Sequence, residues 1–416
     1  MVRGPSLAAL AWRNIWRNRR RTLLTLVSIG FGSMLAVLFT GMQNSQFGQM
    51  VDLAARLGGG HVTLQHFEYL DTPTLTRTVQ DAAALREVAL HDPDVERVVE
   101  RISGFVMLST AGQNYGAAFI AFDPAAEDAT TLSLIEAVSE GEMFRSAGEK
   151  GIILGKRLAE NLEVKLGRKV VYTLTDKHGE IVRDVARVSA IIRTGAPSVD
   201  AGLCMFPIDS LRETLRYAPK EGIQVAVFLR DQRRADALAA RLGSRVGKTV
   251  SALAWHEIQP DLAGFIAMKV AGMVFFEVLI MVLVAAGIFN TLFMSVMERL
   301  REFGIMMAIG YSPASLFRLV MLESLWLGLV GLVVGAALTA WPYYYLATTG
   351  LDLSSFVGEG GAEIAGVAAP TTMNVYIFPE NLVAIGIAVL LATLASGLYP
   401  AWQAGRVVPV ESIRLV

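Results

Sequence analysis

Four stretches of this chain carry no charge over the length that a bilayer demands, and they restrict the fold more than any other feature. A hydrocarbon core about 30 Å thick takes roughly 20 apolar helical residues to cross. The stretches 23–42, 278–297, 324–350 and 382–402 each reach that length without an Asp, Glu, Lys or Arg. Only 18% of the 416 residues are charged and 53% are hydrophobic, a balance unlike that of soluble domains. The first stretch exceeds a signal-peptide core, and no small-x-small cleavage site follows it (Thr40-Gly41-Met42-Gln43), so it reads as a retained anchor. The fold class expected is an α-helical membrane protein with four transmembrane helices and a large α+β extracytoplasmic domain between helices one and two.

Lys and Arg in short flanking segments set the orientation. Arg3, Arg13, Arg17, Arg19, Arg20 and Arg21 precede the first span with no acid among them. Arg299, Arg301 and Arg318 join spans two and three, and Arg406 and Arg414 lie in the tail. The link between spans three and four holds only acids: Asp352, Glu359, Glu363 and Glu380. Both termini and the second link are therefore expected in the cytosol. The organisation reads as a basic amphipathic leading helix (1–22), then span one with an outward stalk (23–57). An extracytoplasmic domain of two subdomains follows (58–254), then a second stalk and span two (255–297) and a cytosolic link (298–318). Span three (319–347), a short outer loop (348–381), span four (382–402) and a cytosolic tail (403–416) complete the chain. Trp12, Trp16, Tyr399 and Trp402 mark the inner face; Trp341 and Tyr343–Tyr345 mark the outer one.

The extracytoplasmic stretch reads as mixed strand and helix. Gly58-Gly59-Gly60 stops the first stalk, His61–His66 alternates as a strand, and Val95–Ile102 and Phe105–Thr110 read as two strands. Lys169–Asp176 and Ile181–Ile192 form a hairpin around Lys177-His178-Gly179-Glu180, and a helix from Trp255 runs into span two, unbroken apart from Pro260. No catalytic constellation is visible. Gly243-Ser244-Arg245-Val246-Gly247-Lys248-Thr249 has one residue too few between its glycines for a phosphate loop. The five histidines lack metal spacing, and Cys204 is the only cysteine. A net charge of −1 gives no nucleic-acid footprint.

The informative segment is the cytosolic link. Glu298, Arg299, Arg301 and Glu302 begin a short helix whose apolar side is Phe303, Met306, Met307 and Ile309, with Gly304 between. Gly310 suits a left-handed helix end. Ser312 is a natural N-cap and Pro313 fits the first turn of the next helix. The product is an elbow, read either as an interfacial helix or as a docking helix for a cytosolic partner.

This segment resembles the Glu-Arg-x-x-Glu-(Ile/Phe)-Gly-x-x-x-Ala-x-Gly pattern of the FtsX/MacB/LolCE-type ABC transporter permeases. The leading Trp12-Arg13-Asn14-Ile15-Trp16-Arg17-Asn18-Arg19-Arg20-Arg21, span three with Glu323, Gly328, Gly331 and Gly335, and the tail from Tyr399 to Arg414 are similar to the same family. The resemblance implies a dimer, with an identical or homologous second permease, engaging two cytosolic ATPase subunits. ATP and Mg would sit on those subunits, and this chain would bind no cofactor or metal and carry no catalytic residue. Glu298, Arg299, Arg301, Glu302, Phe303, Gly304, Met307, Gly310 and Ser312 would couple it to the ATPase. Layout is most similar to the LolC/LolE branch, which implies lipoprotein release from the bacterial inner membrane, with a periplasmic lipoprotein carrier as a further partner. The alternatives are MacB-like efflux of a peptide or small molecule and FtsX-like signalling to a periplasmic partner. A sensor would end in a cytosolic signalling domain, and an enzyme would need a catalytic cluster.

Inside the spans, Gly331-x-x-x-Gly335, with Gly328 before it, suits close helix approach. Glu277, Asn290 and Glu323 are costly near hydrocarbon and are candidates for intramembrane polar roles. Glu323 is expected to reach Arg318 or Arg301, and Glu277 to snorkel to the outer surface.

Overall fold

The computed structural model describes residues 6–352, 363–364, 367–368 and 372–406. Expectations placed on Arg3, Glu359, Arg414 and the tail beyond Arg406 lie outside the described residues. In chain order the helices are α1 (Leu7–Ile15), α2 (Arg19–Leu57), α3 (Ala82–Leu90), α4 (Lys156–Asn161), α5 (Pro197–Gly202) and α6 (Ile208–Leu215). They continue as α7 (Ala235–Gly243), α8 (Trp255–Ile258), α9 (Pro260–Glu298), α10 (Leu300–Ala308), α11 (Pro313–Thr348) and α12 (Pro379–Gly405). Among the described residues four, α2, α9, α11 and α12, are long and apolar enough to cross a membrane. The chain divides into two compact units. One takes residues 1–46, 268–352 and 372–416; the other takes 47–267 and 353–371.

The second unit is α+β. Its strands are β1 (Val62–His66), β2 (Val95–Ser109), β3 (Asn114–Phe122), β4 (Val138–Gly141) and β5 (Gly151–Gly155). Then come β6 (Lys169–Thr175), β7 (Ile181–Ile192), β8 (Leu203–Pro207), β9 (Gln224–Leu229) and β10 (Val250–Ala254). The outer half of β2 pairs with β3 and β6; from there the ladder continues β3–β8, β8–β5, β5–β7 and β7–β6. Six strands thus close on themselves, and closure removes the edges that an open sheet would expose. Leu108, Phe119, Ile152, Leu154, Val170, Cys204 and Phe206 belong to the core that this ring shares with Leu158, Leu211 and Leu215 of α4 and α6. The inner half of β2 pairs with β9, which pairs with β1, and β1 with β10. This second sheet packs Val62, Leu64, Val225 and Val227 against Leu238 and Leu242 of α7 and Ala89 of α3.

Two expectations change. β2 is one strand through Gly104 rather than two, because a side chain there would fall 3.0 Å from Leu75 Cδ2 and the glycine lets the ladder continue. β1 is buried on both faces instead of alternating: Val62 and Leu64 pack on the side of α7, and Thr63, on the other face, donates to the Gly59 carbonyl at the end of α2. Its neighbour His61 is also buried; Nδ1 accepts the Leu229 N–H at 3.0 Å and Nε2 lies 2.9 Å from Asp52. The helix from Trp255 is interrupted where Pro260 led one to expect it: the backbone leaves the helix at Gln259 (φ −121°, ψ 68°) and resumes at Pro260.

The end of α2 is fixed from β2. Gly58-Gly59-Gly60 stops the helix, and Gly60 at φ +81° lies so close to Val227 that only glycine fits. Arg101, fully buried, donates to the Gly58 carbonyl and to the Thr131 carbonyl at 2.7 Å. Its guanidinium also grips both oxygens of the fully buried Glu127, at 2.9 and 2.5 Å. A planar fork meeting a carboxylate in two parallel bonds is the strong form of this contact. Replacing Arg101 by Met strands Glu127 and should destabilise this unit by about 3–5 kcal/mol, whereas the double change Arg101→Met, Glu127→Leu should recover much of that loss. Thermal unfolding of the full chain and its two variants measures both effects.

Candidate functional site: a charged elbow between two membrane helices

The elbow is built by three local devices. At Arg299 the backbone leaves the helix (φ −107°, ψ 10°), so Glu298 ends α9 and does not begin α10, as the sequence suggested. At the far end Gly310 takes φ +108°. Its N–H donates to the Met307 carbonyl and that of Tyr311 to Met306, both at 3.0 Å, the paired closure of a Schellman cap. Ser312 then accepts from the Ser315 N–H, and Pro313 opens α11.

The nine residues of α10 face two ways. Phe303 and Gly304 are buried, Phe303 in a cluster with Ala11, Val296, Leu316, Leu319, Val320, Ala401 and Ala404. Met306 and Met307 pack half-buried against the same cluster. Arg301, Ile305, Ala308 and Ile309 lie on the opposite side and are exposed, Ile309 by 75%. The single apolar side expected from Phe303, Met306, Met307 and Ile309 is therefore split. Six residues at 100° each carry Ile309 well around the helix from Phe303. Tyr311 and Ser312 extend the exposed surface past the cap.

Beneath α10 the charges are paired within the chain. Glu323, 5% exposed on α11, accepts from Arg299 at 3.0 and 3.2 Å and from the Asn14 amide of α1 at 2.7 Å. This corrects the expected partners, Arg318 and Arg301. Arg299 also donates to Glu302 at 3.2 Å, and its guanidinium lies 5.2 Å from the Phe303 ring centre. Arg17 pairs with Glu302 at 2.5 Å, and Arg21 with Glu298 at 2.5 Å. The hydrogen bond from Arg17, with help from Arg299, holds the Glu302 carboxyl below the usual glutamate range. The leading segment thus clasps the elbow through Asn14 at the end of α1, Arg17 in the turn that follows and Arg21 in the first turn of α2. In the sequence those arginines speak for orientation alone; nothing local to them names their partners.

The membrane glycines lie at helix crossings. A Cβ at Gly331 would fall 2.6 Å from Ile29 Cγ2, and one at Gly335 would fall 2.9 Å from Ser33 Cβ, both on α2. Gly328 faces Leu390 and Thr393 of α12. Glu277 does not simply snorkel: Thr40 Oγ1 donates to it at 2.7 Å. Asn290 is exposed on α9 and is not drawn into the elbow. Among the described residues no group of three His, Cys, Asp or Glu is placed to hold a metal.

Replacing Glu323 by Ala leaves Arg299 only the partly exposed Glu302 and should cost about 3 kcal/mol, the low end for a broken buried pair. Glu298→Ala, at the exposed end of the clasp, should leave the unfolding midpoint near the wild type's. Acid should release the Arg17–Glu302 contact. Because the folded carboxyl titrates below its ordinary range, the contact's contribution is complete at neutral pH and lost as pH falls through that lowered value. Thermal unfolding of the detergent-solubilised chain across pH reads all three, and a Glu302→Gln variant should lose the acid-dependent component.

Two family models match the sequence. The MacB-like periplasmic core domain matches residues 22–245, over half of the chain, and the FtsX-like permease C-terminal model matches residues 274–409. The lipoprotein-releasing system transmembrane protein LolC of Xylella fastidiosa is 27% identical over 64% of this chain, which spans 65% of that relative's length. LolC of Neisseria meningitidis is 24% identical over 96% of this chain and 95% of its own. The pyoverdine export ATP-binding/permease protein PvdT of Pseudomonas entomophila is 24% identical over 99% of this chain and 60% of its own length. The closed strand ring falls within the first match and the clasped elbow within the second, and the chain belongs to the FtsX/MacB/LolCE-type ABC transporter permeases.

Proposed function

We propose that this chain passes the work of a separate cytosolic ATPase through α10 to its α+β unit, and that it serves lipoprotein release from the bacterial inner membrane. The observation that carries the coupling role is the two-sided α10. One face is locked by Phe303 and the Arg299–Glu323 pair, while Arg301, Ile305, Ala308 and Ile309 stay exposed. A helix held rigidly from behind and apolar in front suits a groove on a partner. In this arrangement Glu298 and Glu302 hold the elbow to its own chain, which leaves Arg301 to set register on the ATPase. Two ATPase copies, carrying ATP and Mg, would meet a permease dimer, with both termini and α10 in the cytosol and the α+β unit outside. Lipoprotein release, with a periplasmic carrier as the receiving partner, is supported by the LolC relatives; efflux of a small molecule is the second reading, supported by the pyoverdine exporter's match across 99% of this chain.

The purified chain should hydrolyse no ATP until its ATPase is added. Ile309→Ala should then weaken the complex by about 1–2 kcal/mol, roughly tenfold in affinity, because a buried apolar contact is lost. Arg301→Glu should weaken it further while leaving the chain's own unfolding unchanged. Co-purification and ATPase stimulation are the readouts, and wild-type values for both variants would remove α10 from the interface. Cysteines at Ser6 and Ser315 should be shielded from an impermeant thiol reagent in intact cells, and one at Gln113 should react. Labelling of Ser315→Cys from outside would overturn the orientation.

A further inference from the structure

Within the membrane unit, α2, α9 and α12 each turn one face toward a shared cavity of about 350 Å³. Its polarity is graded. Thr40, Glu277 and Asn381 lie at one end, and Gly32, Val284 and Ala388 at the other. Along α2 the two ends are eight residues apart, about 12 Å of helix, and the antiparallel α9 and α12 place their polar residues at the same end. The apolar end is closed where α2 and α9 touch: a Cβ on Gly32 would fall 2.5 Å from Val284 Cγ2.

The polar end is incompletely satisfied from within the chain. One Glu277 oxygen accepts the Thr40 hydroxyl at 2.7 Å. The other oxygen, and the side-chain amide of Asn381, have no hydrogen-bond partner among the described residues. A carboxylate bordering hydrocarbon demands a donor or a cation, and close-packed interiors do not leave a long apolar void empty. The occupant these walls fit has one hydrocarbon chain, long and narrow, beneath a cationic donor head. α9 and α12 are buried within the chain over only 6% and 22% of their most apolar stretches, so the surrounding bilayer reaches them and supplies such a molecule directly.

We propose that this cavity seats one acyl chain of an ethanolamine-headed phospholipid, with its ammonium on Glu277 and its tail running down toward Gly32 and Val284. The site is a lipid subsite inside one chain, and it stands whichever cargo the transporter carries, since its readout is lipid contact alone.

The test uses the full chain in nanodiscs. Phosphatidylethanolamine and phosphatidylglycerol, each with a diazirine in one acyl chain, are photolysed in turn, and a dipalmitoylated peptide with the same group is the third probe. Labelled residues are mapped by mass spectrometry, with Val333, 70% exposed on α11, as the internal reference for ordinary lipid contact. The ethanolamine lipid should label Met281, Val284 and Ile385 at least about fivefold more than the glycerol lipid relative to Val333. Ala388→Phe and Ala36→Leu fill the cavity from opposite walls, so either can stand if the other fails to fold; each should remove that labelling and leave Val333 unchanged. Glu277→Gln should retain tail labelling and bring the two lipids to parity. Equal labelling by both lipids in the wild type would overturn the proposal. So would labelling that a folded Ala388→Phe or Ala36→Leu leaves intact, or cavity labelling by the dipalmitoylated peptide alone.

Discussion

A carboxylate withdrawn from water among membrane helices has to be met by a cation and by hydrogen bonds, or it does not stay charged. Glu323 is met by both, and the way it is met organises the elbow end of the membrane unit. Arg299 approaches from the break between α9 and α10, and Asn14 from α1, so two separate segments converge on a carboxylate carried by a third. The helix break at Arg299 and the burial of Phe303 follow from that convergence: the guanidinium can reach Glu323 only where α9 has ended, and the ring then lies beneath it. Replacing such a pair by hydrocarbon can leave stability unchanged, so its value here lies in direction, since it admits only one aim for α10.

The membrane helices differ in how firmly they are held. α11 is central: its glycines bring it against α2 and α12, and Glu323 ties its N-terminal part to the elbow. Within the membrane unit α9 is peripheral, with burial confined there to Ile288, Leu292 and Val296 near the elbow. Farther out, Thr40 holds it through Glu277, and the Ser396 hydroxyl of α12 donates to the Ala285 carbonyl at 2.9 Å. Hydrogen bonds of this kind between membrane helices are modest, so α9 is the helix with least to lose by shifting.

The spans were legible because charge-free runs of that length have few other uses, and the elbow's ends because Gly310 and Ser312-Pro313 state their backbone requirements locally. The hairpin of β6 and β7 was legible for the same reason, with Gly179 at φ +83° in its turn. The face allocation of α10 was not. Phe303, Ile305, Met306, Met307 and Ile309 surround a nine-residue helix, so periodicity offers no single buried side, and only the neighbours choose. Nor were the partners of Glu323 legible, because Asn14 lies 309 residues away. The closed strand ring depends on β3–β8 and β2–β6 pairings between distant segments, and alternation within a strand does not name its neighbour.

The grip of Arg101 on the end of α2 bears on how a pull would be carried. Tension along a helix axis reaches the sheet through whatever holds the last carbonyls. Here the Gly58 carbonyl is held by Arg101 of β2, the Gly59 carbonyl by the Thr63 hydroxyl of β1, and the Ala54 carbonyl by the Gln259 side chain. Arg101 is itself braced by Glu127 and the Thr131 carbonyl, so it cannot swing aside to follow a displaced helix end. A tug on α2 is therefore divided between two strands of the sheet and does not fall on one.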